Sequence, residues 1–248
     1  MKKLFFILLA VSSVAFTACS DNDDNEDVYY SIGTVSVDDD SNINAINSDL
    51  GNVINANNTP RTDLDNGARA YVQYINLENV AGEESNVYSA DFIYIDGILT
   101  KNIVEVNPEN ADSIGNDPIN LSEVWFSDGY LNVEFSFLGD YQMHFINMVG
   151  DSALFASGGT TEPRGVPDTI YLELRHNAYD DFDRAVMSGL ASFRLESLPF
   201  YVKTGQIFSV SYKDLDGIIR TKDIEYKLSS KEERMTTGSK NKNRDKIK

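Results

Sequence analysis

The chain has 248 residues, of which 39 are Asp or Glu and 21 are Lys or Arg, so its net charge is −18 at neutral pH. This balance argues against nucleic acid as a partner and against anionic lipid headgroups. Both need Lys and Arg clustered on one face, and no such cluster occurs before residue 231. Cations and basic protein surfaces fit the charge better. Aromatic and β-branched residues are plentiful and long helical periodicity is missing, so the predicted class is all-β.

The first stretch of the chain predicts a membrane anchor. Two lysines precede the apolar residues 4–11, a run too short to span a bilayer and typical of a signal peptide, here residues 1–18. Cys19, the one cysteine of the chain, follows. The arrangement resembles the lipobox of bacterial lipoproteins, in which the thiol takes a diacylglyceryl group and the new N-terminus a further acyl chain such as palmitate. Two or three such chains anchor a protein stably. A secretory signal with a chance cysteine is the alternative interpretation.

Residues 19–27 predict an acidic tether, because they are polar, negatively charged and free of apolar side chains that could build a core. An acidic run after a lipidated cysteine resembles the export signal of surface lipoproteins of the Bacteroides group. The predicted location is therefore the outer membrane, with the protein facing the cell surface and contacting the membrane only through its lipid.

Residues 28–115 predict a first β-domain. Strand composition and alternation recur in short segments separated by turn residues, and no helix is long enough for a crossover. Such a pattern is typical of a small barrel or sandwich. The strand candidates are 29–37, 43–48, 68–77 and 88–95. The segment 107–118 is polar and interrupted by proline and glycine, so we place the domain boundary there, between residues 115 and 116.

Residues 116–229 predict a second β-domain. Leu131, Val133 and Phe135 alternate with polar neighbours, as in a strand with one buried face, and Asp128-Gly129 predicts a hairpin turn before them. Seven candidate strands fit a sandwich of two antiparallel sheets. They are 123–126, 131–137, 143–149, 169–175, 189–195, 206–212 and 218–226. Residues 230–248 are mostly basic and predict a disordered tail.

Several phrases of the chain resemble the NigD-like lipoproteins of the Bacteroides group. They are Ile98-Leu99-Thr100-Lys101, Tyr130-Leu131-Asn132 with Phe135, His144 with Asn147, Leu172-Glu173-Leu174-Arg175-His176-Asn177-Ala178, and Ser192-Phe193-Arg194-Leu195-Glu196-Ser197-Leu198. None of them is a catalytic motif. The resemblance implies an N-terminal OB-like barrel followed by a C-terminal β-sandwich. The family is named for a bacteriocin immunity role of one member, and most members have no assigned activity.

A cluster of oxygen-bearing residues follows the strand candidate 169–175. Asn177, Asp180, Asp181 and Asp183 could supply several of the six to eight oxygen ligands that calcium needs. The spacing matches no EF-hand, and the same aspartates could instead cap backbone N–H groups or pair with arginines. The sequence thus offers a calcium candidate with a structural alternative.

Catalytic chemistry finds little support in the sequence. His144 and His176, the two histidines, could form half of a zinc site, but no HExxH or CxxC spacing accompanies them. Glu134 and Glu173 could serve glycoside hydrolysis, although solvated sheet faces commonly carry such residues. We therefore predict no catalytic residues, no cofactor and no enzymatic activity.

The predicted function is that of a surface-tethered protein-interaction module, for which bacteriocin immunity is one candidate role. Carbohydrate binding for glycan capture is the alternative, because OB-like barrels bind oligosaccharides and tyrosines could stack on sugar rings. The tyrosines concerned are Tyr29, Tyr30, Tyr71, Tyr74, Tyr88 and Tyr94. Glycan capture requires exposed rings aligned on one sheet face.

Overall fold

Five strands close into a barrel in the structure, a computed structural model that describes residues 27–82, 85–140, 142–156, 168–181 and 185–227. The strands are β1 (Tyr29–Val37), β2 (Ile43–Ser48), β3 (Val53–Ala56), β4 (Arg69–Asn79) and β5 (Val87–Gly97). They pair in the order β1-β2-β3-β5-β4, and β4 closes the barrel against β1. The β3–β5 pairing is parallel. This five-stranded closed sheet confirms the predicted OB-like barrel.

Alternation along the barrel strands sends apolar and small side chains inward. On β4, Ala70, Val72 and Tyr74 are buried, whereas Tyr71 and Gln73 between them are only partly buried. Successive side chains of a strand point to opposite faces, so Tyr71 and Gln73 lie on the outside of the barrel.

The other strands build two sheets that pack face to face. They are β6 (Leu99–Asn102), β7 (Val104–Glu105), β8 (Asn120–Ser127), β9 (Tyr130–Gly139), β10 (Phe145–Gly150), β11 (Thr169–Asn177), β12 (Ala185–Arg194), β13 (Ile207–Lys213) and β14 (Ile219–Glu225). One sheet has the order β14-β13-β11-β10-β7 and the other β6-β12-β9-β8. Two short helices, α1 (Ala111–Ile114) and α2 (Ser152–Ala156), lie in the connections. The predicted sandwich is confirmed, although β6, β7 and β13 pair in parallel with β12, β10 and β11.

The change from barrel to sandwich comes earlier than the predicted boundary at residues 115 and 116. Strands β6 and β7 already belong to the two sandwich sheets, so the barrel ends with β5. The polar segment 107–118 is a connection inside the sandwich region, where Asn107 and Asn110 hydrogen-bond neighbouring backbone groups. Edge strands as short as β6 and β7 show no periodic alternation of apolar residues. The boundary predicted from the sequence therefore falls too late in the chain.

The inner faces of the two sheets form one apolar core. Its members include the predicted residues Leu131, Val133 and Phe135 of β9, together with Ile170, Leu172 and Leu174 of β11. Burying a side chain of this size contributes about 1.5–3 kcal/mol of stability. The predicted β8–β9 hairpin is also present, because Asp128 and Gly129 both adopt the positive φ that such a turn requires.

A buried arginine joins the barrel to the sandwich. Arg69, at the start of β4, is 2% exposed and donates two hydrogen bonds to Asp49 of the β2–β3 turn, at 2.5 and 2.7 Å. Its guanidinium also lies 3.2 Å from the Asn132 side-chain oxygen and 3.4 Å from the Ser192 hydroxyl, on strands β9 and β12. Asp49 of the barrel therefore neutralises the charge of Arg69, and the remaining donors of the guanidinium point toward the sandwich.

The sandwich side of this junction is itself fully hydrogen-bonded. Ser192 donates to Asn132 at 2.7 Å, Asn132 donates to Ser127 at 2.6 Å, and Ser127 donates to Asp49 at 2.7 Å. The Arg69 guanidinium also lies 4.7 Å from the centre of the Tyr130 ring. A buried charge needs such complete pairing, so the network fixes how the two domains meet.

We predict that Arg69→Leu lowers the free energy of unfolding by about 3–5 kcal/mol, because Asp49 is left buried without its counter-charge. Denaturant unfolding measures the change. Arg61→Leu is the matched control, since Arg61 is an exposed arginine of the same barrel, and its effect should stay within about 0.5 kcal/mol. Equal effects of the two substitutions would contradict the structural role of Arg69.

Candidate functional site

The two histidines of the chain meet at one end of the sandwich. His144, just before β10, places Nδ1 2.7 Å from Nε2 of His176 near the end of β11. Backbone pairing sets this contact, because β10 and β11 are antiparallel and their ends lie side by side. The two histidines weighed for a zinc site therefore contact each other through a direct hydrogen bond.

Their hydrogen bonds define which nitrogens carry protons. His176 Nδ1 lies 2.9 Å from the Pro118 carbonyl oxygen and must donate to it, which leaves Nε2 as an acceptor for His144. His144 Nε2 lies 3.3 Å from Oδ2 of Asp181. The result is a chain from Asp181 through both imidazoles to a backbone carbonyl.

The histidine pair is sealed from solvent. His176 is 1% exposed, and the imidazole of His144 is 4% exposed. Phe137 stacks on His144 with ring centres 4.4 Å apart, and Gly139 leaves room for that ring, since a Cβ there would lie 2.6 Å from it. The rings are therefore packed as core groups.

Burial also sets the titration of His176. Desolvation lowers the pKa of His176 below its ordinary value of 6.5, and the nearby His144 acts in the same direction, against the opposing effects of the Pro118 carbonyl and Asp117. A neutral His176 agrees with the acceptor role of its Nε2.

The calcium candidates point in different directions. Asn177 donates its side-chain amide to the carbonyl oxygens of Asp112 and Ser113, while Oδ2 of Asp181 accepts the backbone N–H groups of Asp140 and Gln142. The contacts of Asp181 are of the kind offered as the alternative to metal binding, a carboxylate that accepts backbone N–H groups, whereas the Asn177 amide acts as a donor.

Asp180 is exposed in a left-handed backbone conformation, and Asp183 lies outside the described residues. Across the described segments, no group of three or more His, Cys, Asp or Glu is arranged to hold a metal ion. Calcium binding by the four residues stays a prediction.

A lysine at the edge of the sandwich is also engaged internally. Lys101 of β6 reaches across to β10, where its amine donates to the Ile146 carbonyl oxygen at 3.0 Å and to the Asn147 side chain at 2.7 Å. Desolvation lowers the pKa of Lys101. Since its acceptors are neutral groups of the opposite sheet, the lysine links the two sheets.

The two carboxylates weighed for glycoside hydrolysis do not converge. Glu134 lies exposed on β9, whereas Glu173 lies on β11 of the other sheet and accepts a hydrogen bond of 2.6 Å from Arg175. Glycosidases need their two carboxyl groups on either side of one bond, so this pair offers no such site.

Two shallow clefts on the described surface contain neither histidine. One of about 350 Å³ lies between the edges of β8 and β14, and one of about 140 Å³ lies between the β2–β3 turn and Asp128. No helix in the part of the chain that the structure describes has the length and apolar character needed to cross a membrane.

The barrel sorts its tyrosines into two groups. Tyr74 is buried in the barrel core and Tyr29 packs against it, with ring centres 6.0 Å apart, while Tyr88 is a partly buried member of the same core. Tyr30, Tyr71 and Tyr94 lie on the outside of β1, β4 and β5, which are neighbours in the barrel. Together with Gln73 and Asp96 of the same surface, they form what we call the tyrosine face.

Cys19, the predicted lipid-attachment site, lies outside the described residues, as do most of the acidic tether and the whole basic tail. The Arg69 junction was not predicted from the sequence. The available signal was compositional, since Arg69 is one of only two basic residues between 27 and 97 and stands at the start of an alternating strand.

Comparison with known proteins agrees with this architecture. The sequence profile of the NigD-like C-terminal beta sandwich domain matches residues 102–226. A solved structure of a candidate toxin-related protein from Parabacteroides distasonis is 26% identical, with a TM-score of 0.61, and the match covers 86% of this chain and 99% of the other. No curated protein matches the chain.

Two more distant structures share the fold. A NigD-like immunity protein from Bacteroides caccae is 17% identical, with a TM-score of 0.57, and the match covers 83% of this chain and 98% of the other. A candidate lipoprotein from Bacteroides fragilis is 12% identical, with a TM-score of 0.56, and the match covers 82% and 100%.

We predict that stability falls as the pH drops from 7.5 to 5.5. The pKa of His176 is lower in the folded chain than in the unfolded chain, so the unfolded chain binds the proton more readily. The contribution of His176 is complete above the ordinary value of 6.5 and is lost as the pH falls toward the folded value. Denaturant unfolding at several pH values across this range should show that the free energy of unfolding depends less steeply on pH in His176→Gln than in wild type. An unchanged slope would contradict the buried neutral imidazole.

We predict that Gly139→Ala destabilises the sandwich by about 1–3 kcal/mol, because the new methyl group collides with the His144 ring. Thermal and denaturant unfolding measure the loss. Ser188→Ala, an exposed substitution on the neighbouring β12, should change stability by less than about 0.5 kcal/mol. A fully stable Gly139→Ala chain would mean that His144 packs elsewhere.

Proposed function

The chain belongs to the NigD-like family, and we propose that it is a lipid-anchored, non-enzymatic module that binds a protein, as an immunity protein binds a toxin. One relative of this fold is named an immunity protein and another a candidate toxin-related protein. Those names describe the relatives, and they make a toxin or an envelope protein the first partner to test.

The observation that carries the proposal is the histidine pair. Both histidines of the chain hydrogen-bond each other at 2.7 Å in a buried position, and Asp181 completes their network. A general base must reach the proton that it removes from a substrate. Because both imidazoles are buried and hydrogen-bonded within the fold, neither is accessible to act as the general base of a hydrolysis reaction.

The surface near the histidines favours protein contacts instead. Met143 is 76% exposed, and Phe145 and Tyr179 are exposed beside each other with ring centres 5.4 Å apart. Val186 and Leu138, opposite each other on β12 and β9, are exposed on the other sheet. Exposed large apolar side chains beside one another, such as Phe145 and Tyr179, are typical of protein interaction sites.

The anchor assigns the place of action within the proposal. Cys19 would carry the lipid and residues 20–27 would hold the domains away from the bilayer. A candidate lipoprotein shares the fold, which fits a lipid-anchored protein. Outer-membrane location with the domains facing outward is part of the same proposal.

Glycan capture is the second candidate function, and the tyrosine face favours it. Rings of three neighbouring barrel strands lie on one outer surface, which is the arrangement that sugar stacking requires. The acidic character of the barrel favours a basic partner instead.

We predict that cross-linking on intact cells couples the wild-type chain to a discrete protein partner. A Cys19→Ser chain, which cannot be lipidated, should lose this product because it is no longer held beside the partner. If the partner is a toxin, the purified chain should abolish its toxicity only when one chain is present per toxin molecule. Loss of toxicity with far fewer chains than toxin molecules would contradict a binding module and indicate an enzyme.

A further inference from the structure

The tyrosine face is built from two rows of side chains on the outside of the barrel. Pairing across β1, β4 and β5 places Tyr30 opposite Gln73, and Gln73 opposite Tyr94. In the next row, Tyr71 stands opposite Asp96. The surface therefore alternates aromatic rings with an amide and a carboxylate.

The three rings of this face contact one another. Tyr30 and Tyr71 stack with ring centres 5.7 Å apart, and Tyr71 meets Tyr94 edge to face at 6.3 Å. Gln73 donates a hydrogen bond of 2.9 Å to the Tyr71 hydroxyl. These contacts hold the rings in place before any ligand arrives, which lowers the entropy cost of binding.

A bulge in β5 brings the outermost ring into solvent. Gln73 pairs with Tyr94 and Tyr74 pairs with Phe92, so Ile93 is an additional residue in the strand. Ile93 and Tyr94 are each 50% exposed as a result. Bulges commonly redirect side chains at binding sites, and here the bulge turns Tyr94 outward beside Asp96.

The barrel around this face carries almost only negative charge. Residues 27–97 contain twelve Asp and Glu but only two basic residues, Arg61 and Arg69. Arg69 is buried against Asp49, and Arg61 hydrogen-bonds the backbone of Asp40. A ligand approaching the tyrosine face therefore meets aromatic rings and carboxylates.

We propose that the tyrosine face binds an arginine- or lysine-bearing segment of the partner protein. The inference rests on the proposed protein-binding function and names the site and the chemistry of the partner. Cationic side chains lie over tyrosine rings because the ring faces are negative, and arginine stacks there especially well. Asp96 supplies a counter-charge beside the rings.

The molecule already contains contacts of this kind. The Arg69 guanidinium lies 4.7 Å from the centre of Tyr130, and the Lys101 amine lies 5.8 Å from the centre of Phe145. Charge complementarity favours a cationic ligand. The acidic barrel would repel nucleic acid, and a neutral sugar has no net charge for it to attract.

The test uses the full-length chain in neutral detergent and a labelled nine-residue peptide that alternates arginine with serine. Fluorescence anisotropy should show that Tyr94→Ala and Asp96→Asn each weaken binding by about three- to tenfold. Tyr94→Phe, which keeps the ring, should bind as wild type. A peptide with citrulline in place of arginine should bind none of the chains.

Two controls separate this site from general attraction between opposite charges. Tyr171→Ala removes a tyrosine that is 70% exposed on the sandwich, and Asp39→Asn removes an exposed charge of the same barrel. Both should bind the peptide within about twofold of wild type. If Asp39→Asn weakens binding as much as Asp96→Asn, or Tyr94→Ala binds normally, the inference is wrong.

Two further outcomes distinguish this inference from the proposed function. The face is a sugar site if wild type binds neutral oligosaccharides and Tyr94→Ala does not, while both chains bind the arginine peptide equally well. If Tyr94→Ala still cross-links to the cellular partner as wild type does, the protein-binding function stands and the tyrosine face is overturned. Failure of wild type to capture any protein overturns the proposed function itself.

Discussion

The pairing of Arg69 with Asp49 is the constraint on which the arrangement of the two domains depends. A guanidinium can be buried only where its donors find acceptors, and here those acceptors come from a barrel turn and from sandwich strands β9 and β12. Few orientations of the domains satisfy that demand. The membrane tether would therefore carry a single body, in which the tyrosine face and the exposed end of the sandwich keep a fixed relation.

The same principle explains the phrases that link this chain to its family. Their polar residues contact one another: Asn132 with Ser192, His144 with His176, and Lys101 with Asn147. These contacts join strands and sheets, so the phrases describe how the fold is held rather than a reaction.

The strands could be predicted because alternation is local, as in Leu131, Val133 and Phe135. Strands β6 and β7 could not, since so few residues show no period and their pairing partners lie far along the chain. Arg69 was missed for the same reason, because its partners stand 20 to 123 residues away. Asp181 resembled a metal ligand in sequence, yet its contacts come from the β9–β10 connection.

Scanning calorimetry of the wild-type chain tests most directly whether barrel and sandwich form one body. The buried junction predicts a single transition, with equal calorimetric and van't Hoff enthalpies, because neither domain can unfold without exposing the charged pair. Two separate transitions, or a calorimetric enthalpy well above the van't Hoff value, would show that the domains unfold independently. That result would contradict the central role given to Arg69.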